Sequence, residues 1–139
     1  MPTYDENNIF AKIIRGEIPS YKVFETEHTL AILDAFPCTP GHALLLPKKL
    51  GYNDISEMPE NEAADLFAQL PKLANTMKKA VNADAVNILS NLGGASGQIV
   101  FHPHIHVIPR KEGDGLVQHP KNTNGIISKE DAEKVLANV

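Results

Sequence analysis

Three histidines stand at alternate positions in the second half of the chain, as His102, His104 and His106. Alternate side chains of a β-strand lie on one face, so a strand over residues 98–108 would place the three imidazoles in one row about 6.5–7 Å apart. A helix would rotate each of them by about 200° from the last and could not line one surface with them. The spacing therefore predicts a strand with one face of imidazoles and the opposite face in a core.

A row of imidazoles can support several kinds of chemistry. At neutral pH a neutral imidazole can attack phosphorus, bind a metal or move a proton, and a protonated neighbour can hold an anion. A structural role is the remaining alternative, although a core usually needs one buried, hydrogen-bonded histidine and not three on one face. The pattern favours a nucleophilic or acid–base site over a metal site or a purely structural role.

A glycine-rich segment, Gly93-Gly94-Ala95-Ser96-Gly97, directly precedes the predicted histidine strand. Glycine-rich turns let backbone N–H groups approach an anion, and a tight turn between two strands would explain the same five residues. Its position ahead of the three histidines favours contact with a phosphate. Two of the other three histidines, His28 in a predicted turn and His119 in a polar loop, are expected to face solvent.

The composition is that of an ordinary globular domain. The chain has 139 residues, of which 42% are hydrophobic and 22% are charged, and a formal net charge of −4. This length suits one domain over residues 1–139, and the negative charge argues against nucleic-acid and anionic-membrane partners. The acidic start of the chain does not resemble a signal peptide, and no apolar run has the length of a membrane span, so we expect a cytoplasmic protein. The single cysteine, Cys38, cannot form an intrachain disulfide.

Hydrophobic periodicity, caps and turn residues predict the order of elements. The predicted helices cover residues 7–15, 59–82 and 128–138, and the predicted strands cover 21–26, 29–34, 42–46, 85–91 and 98–108. Pro71 should kink the long helix, because it removes a backbone donor. Pro103 should face away from a pairing strand or mark an irregularity near His102. The order predicts an α+β fold with an antiparallel sheet of about five strands and helices packed on it.

The motif His-x-His-x-His, preceded by Gly97-Gln98, resembles the signature of the histidine triad (HIT) family. Further segments resemble the amino-terminal helix and central strands of that family: Ile9-Phe10, Lys12-Ile13-Ile14, Gly16-Glu17-Ile18-Pro19, Leu33-Asp34 and residues 39–49. The resemblance covers about residues 7–110, and a C-terminal loop and helix, 111–139, lie beyond it. The family comprises nucleotide-binding hydrolases and transferases, and its members form homodimers, so the resemblance implies a homodimer here.

The resemblance also implies roles for the histidines. The middle one, His104, matches the nucleophile, which attacks the α-phosphorus and forms a nucleotidylated histidine that water then hydrolyses. His106 would hydrogen-bond the phosphate or the leaving group, and His102 would help to hold the row. His42 matches a further histidine close to the triad, with a core role as its alternative.

Nucleotide contacts follow from the same matches. Asp34 matches an acidic residue that binds the ribose hydroxyls, and a solvated turn aspartate is the alternative. The positions expected to contact phosphate and sugar are Asn91, Ser96, Gly97, Gln98 and Ile99. Ile99 stands where relatives often have Ser or Thr, which leaves only its backbone N–H for the phosphate.

Some relatives hold a structural zinc, and their ligand positions match Asn8, Ala11, Leu50 and His102. Tetrahedral zinc needs nitrogen, sulfur or oxygen ligands, and of these four only His102 keeps the family's ligand. We therefore expect no metal and no cofactor.

The resulting hypothesis is a hydrolase of purine nucleoside 5′-phosphoramidates or related nucleotidyl compounds, with a small purine nucleotide as its partner. Two alternatives stay open: a dinucleoside polyphosphate hydrolase, and a nucleotide-sensing binding module with little turnover.

Overall fold

A five-stranded antiparallel sheet organises the protein, which a computed structural model describes over residues 2–116 and 125–139. The strand order is β1-β2-β3-β5-β4, and the strands are β1 (Lys22–Glu25), β2 (Thr29–Leu33), β3 (Ala43–Pro47), β4 (Ala85–Leu89) and β5 (Ile105–Arg110). The helices are α1 (Ile9–Ile14), α2 (Glu60–Ala68), α3 (Leu70–Ala80) and α4 (Lys129–Leu136), with short 3₁₀ turns at Ile55–Glu57 and Gly94–Ser96. The predicted α+β class with about five antiparallel strands is confirmed.

Alternation along the central strand builds a core on each face of the sheet. Leu44 and Leu46 of β3 lie in a cluster with Phe10 of α1, whereas Leu45 lies in the other cluster with Leu66 of α2 and its neighbours from α3. Because successive side chains of a strand point to opposite faces, one strand contributes to both cores. The sheet is thus held between α1 on one face and the α2–α3 pair on the other.

The predicted long helix over residues 59–82 is wrong in one respect, because two helices replace a single kinked one. The α2 helix ends at Ala68, Gln69 lies between the two, and α3 begins at Leu70. Pro71 lies in the first turn of α3. Backbone N–H groups in a first turn have no intrahelical acceptor, so the N–H that proline lacks costs no hydrogen bond there. The proline therefore begins a new helix instead of bending an old one.

The predicted histidine strand over residues 98–108 is also wrong in its first half. Strand β5 begins only at Ile105, so His102 and His104 precede it and only His106 lies within it. Pro103 is fully buried and cannot donate to a strand ladder. The three imidazoles therefore do not form one row, and each has its own surroundings.

Gly41 makes the turn that brings His42 to the start of β3. Its φ is +85°, and a Cβ atom there would lie 2.8 Å from Cγ1 of Val81. L-residues with side chains rarely adopt this conformation, and the neighbouring side chain leaves no room for one. A glycine is required at this position for both reasons.

The C-terminal part is described from residue 125 onward. Ser128 caps α4 by accepting the Asp131 N–H at 3.1 Å, as the sequence predicts. Residues 117–124 of the predicted C-terminal loop, including His119, lie outside the described residues. None of the helices that the structure describes has the length and apolar character needed to cross a bilayer.

Candidate active site

A cavity of about 610 Å³ lies between α1 and the sheet, and most of the predicted site residues line it. The predicted residues found there are Asp34, His42, Asn91, Gly97, Ile99, His104 and His106. The predicted residues His102, Ser96 and Gln98 do not line the cavity. Apolar side chains of α1 (Ile9, Phe10 and Ile13) form one wall, and they face the polar groups across the space.

His104 lines this cavity, and one nitrogen of its imidazole carries no proton. Its Nδ1 lies 2.6 Å from the backbone oxygen of His102. A carbonyl oxygen only accepts, so Nδ1 carries the proton of the neutral ring and Nε2 keeps its lone pair. Burial lowers the pKa of His104, partly offset by that carbonyl and by Asp34, so the ring is neutral at neutral pH. A neutral imidazole held in this tautomer is a competent nucleophile.

A chain of contacts gives His106 the opposite tautomer. The Cys38 backbone N–H donates to Nδ1 of His42 at 3.0 Å, so the proton of neutral His42 is on its Nε2. That Nε2 lies 2.9 Å from Nδ1 of His106 and donates to it. The proton of neutral His106 is therefore on Nε2, where it can donate a hydrogen bond to a phosphate oxygen or a leaving group.

Burial is the first cause that keeps these imidazoles neutral. Burial, followed by the neighbouring His104 and His42, lowers the pKa of His106 to about 4. Burial also lowers the pKa of His42, whereas the Asp34 carboxylate opposes that effect. Because all three rings favour the neutral form, the site can hold one nitrogen with a free lone pair beside one N–H hydrogen-bond donor at neutral pH.

Asp34 uses one carboxylate oxygen within its turn and directs the other to the histidines. Oδ1 accepts the Phe36 N–H at 2.8 Å, and Oδ2 lies 3.4 Å from Nε2 of His42. The side chain is mostly buried at 17% exposure and lines the cavity. Asp34 therefore does stabilise its turn, as the alternative from the sequence suggested, and its second oxygen still faces the site.

Asp34, His42 and His106 also form a potential cation site, since their ligand atoms lie within 4.8 Å of one another. The nitrogens of His42 and His106 already share a proton at 2.9 Å, which a cation would have to replace. This set is different from the four positions that match the zinc ligands of relatives.

The glycine segment forms a tight turn in which several backbone N–H groups are already hydrogen-bonded within the chain. The N–H groups of Ser96, Gly97 and Gln98 bond to carbonyls within the segment, and the Gln98 side chain accepts the Gly93 N–H at 2.7 Å. Ser96 donates its hydroxyl to the Gly93 carbonyl. Among the described residues, no acceptor takes the Ile99 N–H. Ile99 therefore offers the backbone donor that the sequence predicts for a phosphate, and Gln98 supports the loop from inside.

The sequence matches the family model of the HIT domain over residues 15–113. The chain belongs to the HIT family. This membership confirms the resemblance found in the sequence, and the fold is that of solved HIT proteins. A HIT family protein of Bacillus anthracis superposes with a TM-score of 0.87 at 39% identity, covering 98% of this chain and 96% of the other.

Two curated HIT proteins show the range of relatives. The chain is 44% identical over 114 residues to the adenylylsulfatase HINT3 of Arabidopsis thaliana. The matched region covers 82% of this chain and 57% of HINT3. It is also 44% identical over 112 residues to the protein hit of Bacillus subtilis, covering 80% of this chain and 77% of that protein. The chain thus spans a little over half of the length of HINT3.

Sequence reasoning missed one group that contacts the triad directly. The Tyr4 hydroxyl lies 2.8 Å from Nδ1 of His102. Tyr4 belongs to no periodic element and lies outside the matched segments, so no sequence signal marked it. The apolar wall from α1 was recognised only as a helix stripe, since periodicity does not tell a cavity wall from a core.

Proposed function

We propose that this HIT protein is a hydrolase that cleaves purine nucleoside 5′-phosphoramidates, or related nucleotidyl compounds, through a nucleotidylated His104. The observation that carries the proposal is the 2.6 Å contact between Nδ1 of His104 and the His102 carbonyl, because it directs the lone pair of Nε2 away from the backbone. The cavity beside it supplies an apolar wall for a base and a carboxylate for a ribose.

The two tautomers define a balanced reaction. In the first step Nε2 of His104 forms a bond to the α-phosphorus while the phosphorus–nitrogen bond breaks; the Nε2–H of His106 donates a hydrogen bond to the leaving nitrogen, and the amine takes a proton from solvent. In the second step water attacks phosphorus and releases a proton to solvent as the bond to His104 breaks. The nucleoside monophosphate is released, and both imidazoles keep the protons with which they began.

The charge of the cavity favours phosphoramidates over dinucleoside polyphosphates. Among the described residues that line it, Asp34 is the only one with a formal charge, and the histidines are neutral. A phosphoramidate brings one negative charge to this site, whereas a polyphosphate brings several and meets no lysine or arginine there. Additional anionic groups without a cation lose solvation and gain little in return.

A substrate panel tests this proposal. The purified protein is assayed with an adenosine 5′-phosphoramidate, with diadenosine polyphosphates and with adenylyl sulfate, because the relative HINT3 is an adenylylsulfatase. We expect the highest kcat/KM for the phosphoramidate. Comparable or higher values for diadenosine polyphosphates would reverse the choice, and binding of AMP without turnover of any substrate would support a nucleotide-sensing module.

We also propose that the protein is a homodimer joined at the β4 edge of the sheet. Strand β4 pairs with β5 along one edge and is the last strand of the described sheet. It exposes Ile88 and Leu89 by 48% and 40%. An edge strand with exposed apolar side chains is a ready pairing surface, and a second copy of the chain would cover it symmetrically.

Light scattering coupled to size-exclusion chromatography tests the dimer. We expect twice the mass of one chain for the wild type and a shift toward one chain for Ile88→Lys. The matched control is Lys22→Ala on β1, the opposite edge, which should leave the mass unchanged. A wild type with the mass of one chain at micromolar concentration would refute the dimer.

A further inference from the structure

His102 is the member of the triad that does not line the cavity. It is fully buried, at 0% exposure, and both of its ring nitrogens are engaged within the chain. Nε2 lies 2.9 Å from the backbone oxygen of Pro47 in β3, and Nδ1 lies 2.8 Å from the Tyr4 hydroxyl. His102 therefore acts on the site only through other groups.

The two contacts determine the proton positions. The Pro47 carbonyl only accepts, so Nε2 of His102 carries the proton and Nδ1 must accept. Burial lowers the pKa of His102 to about 4, which keeps the ring neutral. Burial also raises the pKa of Tyr4, so its hydroxyl keeps a proton to donate. Tyr4 is thus the donor that satisfies the remaining nitrogen of His102.

His102 in turn provides the acceptor that orients His104. Its carbonyl oxygen lies 2.6 Å from Nδ1 of His104, and this contact leaves Nε2 of His104 unprotonated. Phe10 packs edge-on against both rings, with centroids 6.4 Å from His102 and 4.8 Å from His104. A displacement of His102 would therefore move this acceptor, and His104 could then also populate its other tautomer.

The segment that carries Tyr4 is itself held in place beyond the tyrosine. The carbonyl of Pro2 accepts from Nδ2 of Asn53 at 2.8 Å. The Asn53 carbonyl accepts from Nε2 of Gln98 at 2.6 Å, and Gln98 holds the glycine segment. The segment that carries Tyr4 is thus tied to the same framework that supports the glycine segment.

We propose that Tyr4 is a positioning residue for catalysis: its hydroxyl holds His102, and the His102 carbonyl sets the tautomer of His104. This inference rests on the proposed function, in which His104 is the nucleophile. Tyr4 does not touch the substrate. It acts through two successive hydrogen bonds, and a change of about 1 Å in such a framework can cost 10²-fold in rate.

The test compares Tyr4→Phe with the wild type in steady-state kinetics. The variant keeps the ring and removes only the hydroxyl. We expect kcat for the phosphoramidate to fall about 10- to 100-fold while KM changes by less than about threefold, because the contacts to ribose and base remain. The matched control is Tyr52→Phe, which removes a hydroxyl that interacts with Lys49 and Glu62 instead of the triad. It should keep the wild-type kcat.

Long-range ¹H–¹⁵N correlation spectra of the imidazoles report the tautomer of each histidine. A purely structural role of Tyr4 would leave the tautomer of His104 unchanged. In the wild type we expect the proton of His102 on Nε2 and that of His104 on Nδ1. In Tyr4→Phe we expect His104 to populate both tautomers, and we expect Tyr52→Phe to match the wild type.

Three results would overturn the inference. They are a proton on Nδ1 of His102 in the wild type, a wild-type kcat in Tyr4→Phe, and a reduced kcat with an unchanged His104 tautomer. The first needs no variant, so it decides even if Tyr4→Phe fails to fold. If the wild type turns over no substrate, the proposed function fails, whereas the spectra still decide whether Tyr4 positions His104.

Discussion

The hydrogen-bond partner of each imidazole determines which of its nitrogens is free for chemistry. His104 faces a carbonyl and keeps a lone pair for attack, whereas His106 faces the N–H of His42 and keeps an N–H to donate. Two identical side chains two residues apart thus take opposite roles because of their hydrogen-bond partners. The family assignment of His104 as nucleophile remains a prediction, and this geometry supports it.

We predict that His104→Ala abolishes covalent catalysis but still binds AMP, because Asp34 and the loop backbone remain. The loss of kcat should exceed the roughly 10²–10⁴-fold loss that we expect for removal of the flanking histidine in His106→Ala. Quenching the wild type during turnover should yield a nucleotidyl adduct on His104, located by peptide mass spectrometry. An adduct on His102 or His106, or near-normal turnover by His104→Ala, would contradict this role.

We predict that Asp34 binds the ribose hydroxyls through its Oδ2 oxygen. Loss of a hydrogen bond to a charged group costs about 1.5–3 kcal/mol, so Asp34→Ala should weaken AMP binding about 10- to 150-fold in calorimetry. The control Asp65→Ala changes an exposed carboxylate of α2 outside the cavity. The wild type should prefer AMP to 2′-deoxy-AMP, and Asp34→Ala should lose this preference. A variant that still discriminates between the two ligands would refute the contact.

At the scale of elements, short turns and not long strands bring the site together. His42 follows the Gly41 turn, Asp34 follows β2, and His104 precedes β5. The sheet supplies rigidity, while the strand ends and their loops supply the reacting groups. A change in one of these turns should therefore affect stability and the site together.

We predict that Gly41→Ala destabilises the protein, because it combines a left-handed φ with a Cβ only 2.8 Å from Val81. The left-handed conformation alone costs roughly 1–2 kcal/mol for a residue with a side chain. Gly16→Ala is the matched control, since Gly16 has a φ of +78° and nothing within 4 Å of the added atom. Denaturant unfolding should show a larger loss in the free energy of unfolding for Gly41→Ala than for Gly16→Ala. Equal losses would mean that the Val81 side chain moves aside at no cost.

At the scale of the whole molecule, burial of neutral histidines links folding to pH. The unfolded chain protonates His102 below about pH 6.5, whereas the folded chain does not do so until about pH 4. The free energy of unfolding should therefore be fully maintained above pH 6.5 and should fall as the pH drops from 6.5 toward 4. For a pKa lowered from 6.5 to about 4, the loss amounts to about 3 kcal/mol.

Urea unfolding at several pH values measures this dependence. Replacement of His102 by Gln should reduce its slope between pH 6.5 and 4, and the control His28→Gln removes a histidine from an exposed turn. A wild type whose stability is flat across this range would show that His102 is not held neutral by the fold.

We predict that the purified protein carries no stoichiometric metal and keeps its fold in a chelator. The sequence lacks the ligands at three of the four positions that hold zinc in relatives, and hydrogen bonds from Tyr4 and to Pro47 occupy His102 instead. Elemental analysis and thermal unfolding with and without a chelator provide the test. One zinc per chain, with loss of folding when it is removed, would refute the prediction.

The local pattern of the sequence determined most of the elements, the fold class and the family. Alternation along β3, the cap at Ser128 and the histidine motif are short-range signals, so they can be read from neighbouring residues. The boundary of β5 was missed because burial of Pro103 and the absence of a ladder there depend on what packs around it. The same holds for the break at Gln69, where a proline can equally kink one helix or begin another.

Only the tertiary structure decided which imidazole offers a lone pair, which offers an N–H donor and which is a support. Each tautomer depends on an acceptor or donor, and four of these partners come from distant parts of the chain or from turns: Tyr4, Cys38, His42 and Pro47. Spacing in sequence placed the three histidines close together. Hydrogen bonds across as many as 98 positions gave them different roles, because a proton's position depends on the neighbour in space.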